Sequence, residues 1–308
     1  MSKVFTGTAI LWLLFATMAA ADNSIETVQV TATRLPESVG DVPADVSIIS
    51  AEELGERQAH DLSTALALTA GVEAPPGGDA GPSSAVPSFW GLHEFDAFLL
   101  VVDGVPWGGA FNPAIPALNF NDVQRIEVLK GSAPVAFGAT SFVGVIQVLH
   151  YPAGEAANQA EVAYGSYDSW RGAGSIALPN WGDWRHSFAA DWEERGFADK
   201  RESLEEGHFL YRAETPLGPG TLRFDADISF VHDVPPSPMV RVGEALTTLT
   251  PINANYNPAN AEIGENRYHA SLGYVLPTAW GEWRTLASFA HYTRMYCRCI
   301  TTYSARIP

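Results

Sequence analysis

The sequence predicts a small α+β domain followed by antiparallel transmembrane β-barrel strands that form an incomplete barrel. Three observations point there. An apolar run ending in small residues opens the chain. Residues 22–153 then mix short strands, short helices and Gly/Pro loops. From Gly154 onward, apolar and polar residues alternate over stretches of about ten, the period a barrel strand needs with lipid on one side and water on the other.

The opening segment sets the compartment. Lys3 is the only charge in residues 1–21, and Ala9–Met18 (AILWLLFATM) is apolar. Ala19-Ala20-Ala21 fits an A-x-A cleavage site before Asp22. The run is too short to span a bilayer, so residues 1–21 read as a secretory signal peptide. A buried first helix is the alternative. No later stretch approaches 18 apolar residues, the length a transmembrane helix requires.

Composition narrows the function. The 308 residues carry 18 Lys+Arg against 35 Asp+Glu, a formal net charge of −17, which opposes nucleic-acid binding. Hydrophobic residues make up 46%, too many for a disordered acidic chain. The 2 cysteines, Cys297 and Cys299, cannot build a disulfide scaffold, and in Cys-Arg-Cys they sit too close to pair normally with each other. There is no G-x-S-x-G, H-E-x-x-H or Walker loop, and the 8 histidines lack ligand spacing. The sequence therefore calls for no enzyme, no cofactor and no resident metal.

In residues 22–153, Val46–Ser50 reads as a strand, and Asp61 as the N-cap of a helix over Leu62–Leu68 closed by Gly71. Residues 74–87 form a loop. Phe98–Val102 is a strand entering an Asp103-Gly104 hairpin turn, and Val123–Lys130 and Val145–Leu149 are two more strands. Beyond Gly154, Thr221–Val231 alternates most cleanly: Leu222, Phe224, Ala226, Ile228 and Phe230 share one face, and Arg223, Asp225, Asp227 and Ser229 the other. Trp184–Glu193 repeats this, with His186 as a blemish on its apolar face. Tyr268–Leu276 and, less cleanly, Glu282–Tyr292 follow. The connections 179–183, 216–220 and 277–282 are short, whereas 195–205 and 232–265 are long and polar, the asymmetry of outer-membrane barrels. Trp181-Gly182-Asp183-Trp184 and Trp280-Gly281-Glu282-Trp283 place a Trp pair beside two short turns, as an interfacial girdle would. A soluble β-sandwich also alternates, but its strands are usually about five or six residues long.

At this point the chain resembles a TonB-dependent outer-membrane receptor, the family that imports scarce ligands such as ferric siderophores, cobalamin and haem. Glu26–Arg34 (ETVQVTATR) resembles the energy-coupling box. Asp61-Leu62 through Ala70-Gly71-Val72 resembles the plug segment that usually ends in Pro-Gly-Val. Leu99–Pro106 (LLVVDGVP) matches the central plug hairpin, and Gln124–Gly131 (QRIEVLKG), Phe137-Gly138 and Gly144–Val148 match the closing motif. Where the family commonly has an Arg-Gly pair, Trp90-Gly91 stands here. The resemblance implies a signal peptide over 1–21, a coupling-box segment over 22–34, a plug over 35–153 and the N-terminal part of a barrel over 154–308.

The same resemblance implies the partners and sites. Glu26, Thr27, Val28, Gln29 and Val30 would add as a strand to a TonB-like energy-transducing protein; an ordinary plug edge is the alternative. Arg125, Glu127 and Lys130 would lie at the plug–barrel wall, where buried charges need partners. Trp90, His93, Trp107 and Phe111 would face a small-molecule ligand, a ferric siderophore or similar metal chelate; packing in the plug core is the alternative. The barrel strands would meet outer-membrane lipid. Rival readings are a non-transporting plug-like ligand-binding or signalling module and a secreted β-sandwich hydrolase. Plugged transporters use 22 strands. Seven strand candidates at about 22 residues each would scale to about 480 residues for 22 strands, so the chain reads as C-terminally truncated.

Overall fold

The computed structural model describes residues 29–30, 37–38, 45–77, 85–92, 98–109, 112–113, 115, 118–131, 143–156, 158–237, 241–242, 245–246, 255 and 257–296. The signal peptide, Glu26–Val28, His93, Phe111, Phe137-Gly138, Cys297 and Cys299 lie outside these residues.

The first domain is built on a mixed sheet of five strands: β1 (Asp45–Ser50), β2 (Phe98–Val102), β3 (Val105–Pro106), β4 (Val123–Lys130) and β5 (Gly144–His150). Their order is β1-β4-β5-β2-β3, with β5 and β2 parallel and the other neighbours antiparallel. Two short helices lie beside this sheet. Ser50 ends β1 and caps α1 (Ala51–Glu56), its Oγ accepting from Glu53 N at 3.2 Å. The sequence reading passed over this helix, although Ser50-Ala51-Glu52-Glu53 is the S-x-x-E pattern of a capping box. The second, α2 (Leu62–Leu66), begins where expected: Asp61 Oδ1 accepts from Thr64 N at 2.7 Å, satisfying one orphan N–H of the first turn. Gly71 follows with φ +78°, and a Cβ there would meet the Trp90 ring at 2.9 Å. The β2–β3 turn places Asp103 at φ +48° and Gly104 at φ +87°, both left-handed as a two-residue hairpin demands.

The core lies between the sheet and the helices. Phe98, Leu100, Val102, Ile126, Val128, Ile146 and Val148 pack with Leu54, Leu62 and Leu66, and the wall strands contribute Leu204 and Val231. Phe89 tilts against Phe98, ring centroids 5.6 Å apart.

A linker at 151–158 leads into the wall, a seven-stranded antiparallel sheet in strict chain order. Its strands are β6 (Gln159–Tyr164), β7 (Trp170–Trp181), β8 (Trp184–Gly196), β9 (Ser203–Leu217), β10 (Gly220–Val234), β11 (Ile263–Thr278) and β12 (Gly281–Tyr296). The expected alternation holds, and its sense is inverted relative to a soluble protein. On β10, Asp227, Ser229 and Asp233 are buried against the plug, while the face bearing Leu222, Phe224 and Phe230 turns outward. Trp181, Trp184, Trp280 and Trp283 are exposed beside the short turns. His186 sits comfortably on its apolar face: Nε2 lies 2.8 Å from Pro179 O, and the ring meets Tyr211 edge-on.

The strands run longer than the sequence suggested. The cleanest expected run, 221–231, extends to 220–234, and 268–276 extends to 263–278. The long connection at 195–205 shrinks to 197–202. The reason is that the outward positions near these strand ends carry Glu194, Glu205 and Asn266, all exposed, instead of apolar residues, while Glu193, Arg195, Glu206 and Glu265 keep the polar phase of the lumen face. Among the described residues no helix is long and apolar enough to cross a membrane.

Because nearly all of the first core comes from residues before 154, a fragment of residues 22–153 should give dispersed amide NMR signals by itself. Leu100→Ala in that fragment should cost about 2–5 kcal/mol in urea unfolding followed by circular dichroism. Undispersed amides for the parent fragment would show that the wall is needed to fold it.

Candidate functional site

The seam between the plug sheet and the polar face of the wall gathers the most buried charge, and Arg212 is its centre. Arg212 lies on β9 and is 1% exposed. Antiparallel register sets Asp225 of β10 directly across from it, and Asp225 in turn faces Ser271 of β11. Arg212 Nε donates to Asp225 Oδ1 at 2.7 Å, and Ser271 Oγ donates to Asp225 Oδ2 at 3.0 Å. The guanidinium also reaches the plug. Its Nη1 donates to Tyr151 O at 2.7 Å, and Nη2 lies 3.5 Å from Asp103 Oδ2.

The β2–β3 turn aims Asp103 at this point. Its carboxylate accepts from His150 N at 3.1 Å and meets His150 Nδ1 at 2.8 Å. Burial pushes the Asp103 carboxyl up, but the Arg212 guanidinium and His150 outweigh it and hold the group well below the usual carboxylate range. A cavity of about 400 Å³ opens beside this network, lined by Asp103, Arg125, Gln147, His150, Arg212 and Arg284 among others.

Further contacts extend the seam. Asn121 Nδ2 donates to Ala190 O of β8 at 3.0 Å. Trp107 is 3% exposed and lies beneath Arg267 of β11, whose guanidinium carbon is 4.0 Å from the ring centroid, with His269 edge-on at 5.6 Å. A desolvated cation over an indole face contributes about 2 kcal/mol. On the wall itself His208 Nε2 lies 2.8 Å from Asp227 Oδ2. Among the described residues, no group of three or more His, Cys, Asp or Glu is placed to hold a metal ion.

The sequence-predicted site residues fall in several places. Gln29-Val30 pairs antiparallel with Glu37-Ser38. Arg125 and Glu127 pair at 2.8 Å, with Glu127 fully buried and Arg125 on the cavity. Lys130 is bound within the plug, to Asp45 Oδ2 at 2.8 Å and Ala70 O at 3.0 Å. Trp90 is 64% exposed with φ +55°, its indole over Gly71, whereas Trp107 is buried in the seam. Sequence reasoning missed Asp103, Asn121, His150, Arg212 and Arg267. Asp103 carried a signal only as a turn residue. Arg212 lay in a strand that the sequence did not resolve.

Comparison with known proteins agrees with this arrangement. Residues 38–145 match the family model described as the TonB-dependent Receptor Plug Domain. A vitamin B12 transporter, BtuB, of Vibrio vulnificus strain CMCP6 is 33% identical over 129 residues, covering 40% of this chain and 20% of that protein. The iron-regulated outer membrane virulence protein of Vibrio cholerae serotype O1 is 29% identical over 153 residues, covering 45% and 22%. The chain thus spans about a fifth of the length of these curated relatives. Among solved structures, the ferric-catecholate import receptor Fiu of E. coli K12, in its open form, superposes with TM-score 0.69 at 15% identity, covering 87% of this chain and 42% of that one. The P. aeruginosa receptor FpvA bound to a heterologous pyoverdine gives 0.68 at 16% identity, covering 85% and 35%. The fold of plug plus partial barrel wall is shared with these receptors, and residues 38–145 are a TonB-dependent receptor plug domain.

Removing the Asp103 charge should weaken the seam. Asp103→Asn leaves the buried Arg212 short of one half-buried carboxylate while Asp225 and Tyr151 O remain, and should cost about 1.5–3 kcal/mol, read as a lower denaturant midpoint for the full chain in detergent. The folded Asp103 value lies below its ordinary 3.8, so this contribution is present above that pH and is lost as pH falls toward the folded value. Wild type and variant should therefore converge in strong acid. A constant gap down to the lowest pH would contradict the ion-pair account.

Proposed function

We propose that this chain, carrying a TonB-dependent receptor plug domain and the wall it docks on, belongs to an outer-membrane receptor that imports a scarce metal chelate under the drive of a TonB-like partner. One observation carries the reading: the plug is held to the polar face of an inside-polar wall by exchangeable side-chain bonds centred on Arg212. A permanently sealed junction would bury apolar surface instead. Ion pairs and hydrogen bonds that can trade partners allow a plug to shift without leaving a large bare apolar face.

The coupling role is assigned to Glu26–Val30. An extended, β-branched, charge-poor segment can add to a partner's sheet edge through backbone bonds. The two-residue ladder of Gln29-Val30 with Glu37-Ser38 supports its extended character. In a titration of peptides spanning residues 25–33 into the periplasmic domain of a TonB-like protein, Val28→Pro should weaken binding at least tenfold, which takes about 1.4 kcal/mol. Gln29→Ala should change it little. Equal affinity for the proline peptide would make the segment merely an edge of the plug.

For the ligand, Trp90, with its exposed indole, is the leading contact among Trp90, His93, Trp107 and Phe111; the buried Trp107 would act on the ligand only after the plug moves. A ferric siderophore is the first reading. Cobalamin is the second, supported by the names of several relatives. Outer membranes from cells producing the protein should retain radiolabelled ferric siderophore, and Trp90→Ala should lower that retention. Retention of labelled cobalamin alone would select the second ligand, and retention of neither would refute the metal-chelate reading.

A further inference from the structure

The exit from the plug carries two buried polar groups that the proposed transport reading does not use. Asp122 sits in the turn before β4 with φ +68° and is 2% exposed. Its backbone carbonyl accepts from Tyr151 N at 3.1 Å, the first residue of the linker into the wall. Its side-chain Oδ1 is buried with no hydrogen-bond partner among the described residues. The Nε2 of His150, adjacent in sequence to Tyr151, is buried and unpartnered in the same way. His150 uses its other nitrogen on Asp103 and lines the 400 Å³ cavity, which gives protons a route in.

We propose that Asp122 and His150 constitute a proton-binding site that governs how tightly the plug's exit linker is held against the wall. With Asp122 protonated, the junction holds no second carboxylate charge, and Tyr151 stays anchored on both sides: its N–H on Asp122 O, its carbonyl on Arg212. With Asp122 ionised, a second carboxylate charge is buried near Asp103 at the junction, and opening the linker relieves it by letting water in.

The charged groups facing Asp122 come from three elements. His150 ends β5, Asp103 lies in the β2–β3 turn, and Arg212 on β9 is already committed to Asp225. Burial raises the Asp122 carboxyl to about 6, with Asp103 adding to the rise and with His150 and Arg212 opposing it. The folded value thus stands above the ordinary 3.8, so the closed junction is favoured most below that pH and loses this advantage as pH rises through 6. Linkage with these two values gives about a tenfold weakening of closure between about pH 5 and pH 7.

Amide hydrogen exchange of the full chain in detergent tests this, with rates at each pH referenced to an unstructured peptide. The protection factor of the Tyr151 amide should fall about tenfold between about pH 5 and pH 7. Asp122→Asn tolerates the left-handed backbone and cannot ionise, so its protection should stay flat over that range. A flat wild-type profile, or the same fall in Asp122→Asn, would overturn the proposal. If Asp122→Asn does not fold, His150→Gln replaces it. Removing the imidazole takes away both its charge and its ring nitrogens from beside the carboxyl, so the midpoint of the fall should move, and an unmoved midpoint would likewise overturn the assignment.

Discussion

A single guanidinium fixes how the two halves of this protein meet. Arg212 is almost wholly buried and binds a wall carboxylate, a plug carboxylate and the backbone of the linker between them. Burying such a charge costs several kcal/mol unless its donors are satisfied. Arg212 therefore demands that β9, β10, the β2–β3 turn and residue 151 all be in place together. Each of those elements is in turn held by other constraints. The left-handed Asp103-Gly104 turn needs β2 and β3 in register, and Asp225 needs the β9–β10 pairing.

The same constraint explains the seam's chemistry. A plug packed on a wall by apolar contact alone would resist movement, because separation would expose its whole interface to water. Here the joining contacts are mostly polar: Asn121 to a β8 carbonyl, Tyr151 to Arg212, and Asp61 near Arg195 at 3.9 Å. Trp107 beneath Arg267 is the main aromatic contribution. Such contacts have net contributions of about 0.5–3 kcal/mol each and can be exchanged one at a time for water. The plug keeps its own apolar core, and among the described residues Leu204 and Val231 are the buried wall residues that join it.

The wall obeys the opposite rule from the plug. In the plug, both faces of β2 and β5 are buried, so FLLVV is a continuous apolar run and GVIQVLH is apolar apart from Gln147 and His150. In the wall, polar side chains turn toward the plug and apolar ones outward, which exposes Ile176, Leu272 and Phe289 on the surface that lipid would cover. One chain thus carries two solvent environments. The change of grammar near residue 154 marks where the second begins.

Sequence by itself determined the local and periodic features. Asp61 as a helix cap, Asp103-Gly104 as a turn, Val123–Lys130 as a strand and the alternation of Thr221–Val231 each follow from forces acting within a few residues. The order of the plug motifs also identified the fold. Tertiary structure alone decided the site. Asp103 and Arg212 are 109 positions apart, and nothing within ten residues of either indicates the other. Their meeting depends on strand register, where a slip of one residue would turn Arg212 to the lipid face. Lys130 shows the same limit: one strand carries it with Arg125 and Glu127, yet it binds Asp45 and Ala70 within the plug while Arg125 lines the cavity. Charge type is written in the sequence, but a buried charge takes its partner from whatever the packing of distant strands brings within about 4 Å, and that distance is a property of the whole fold.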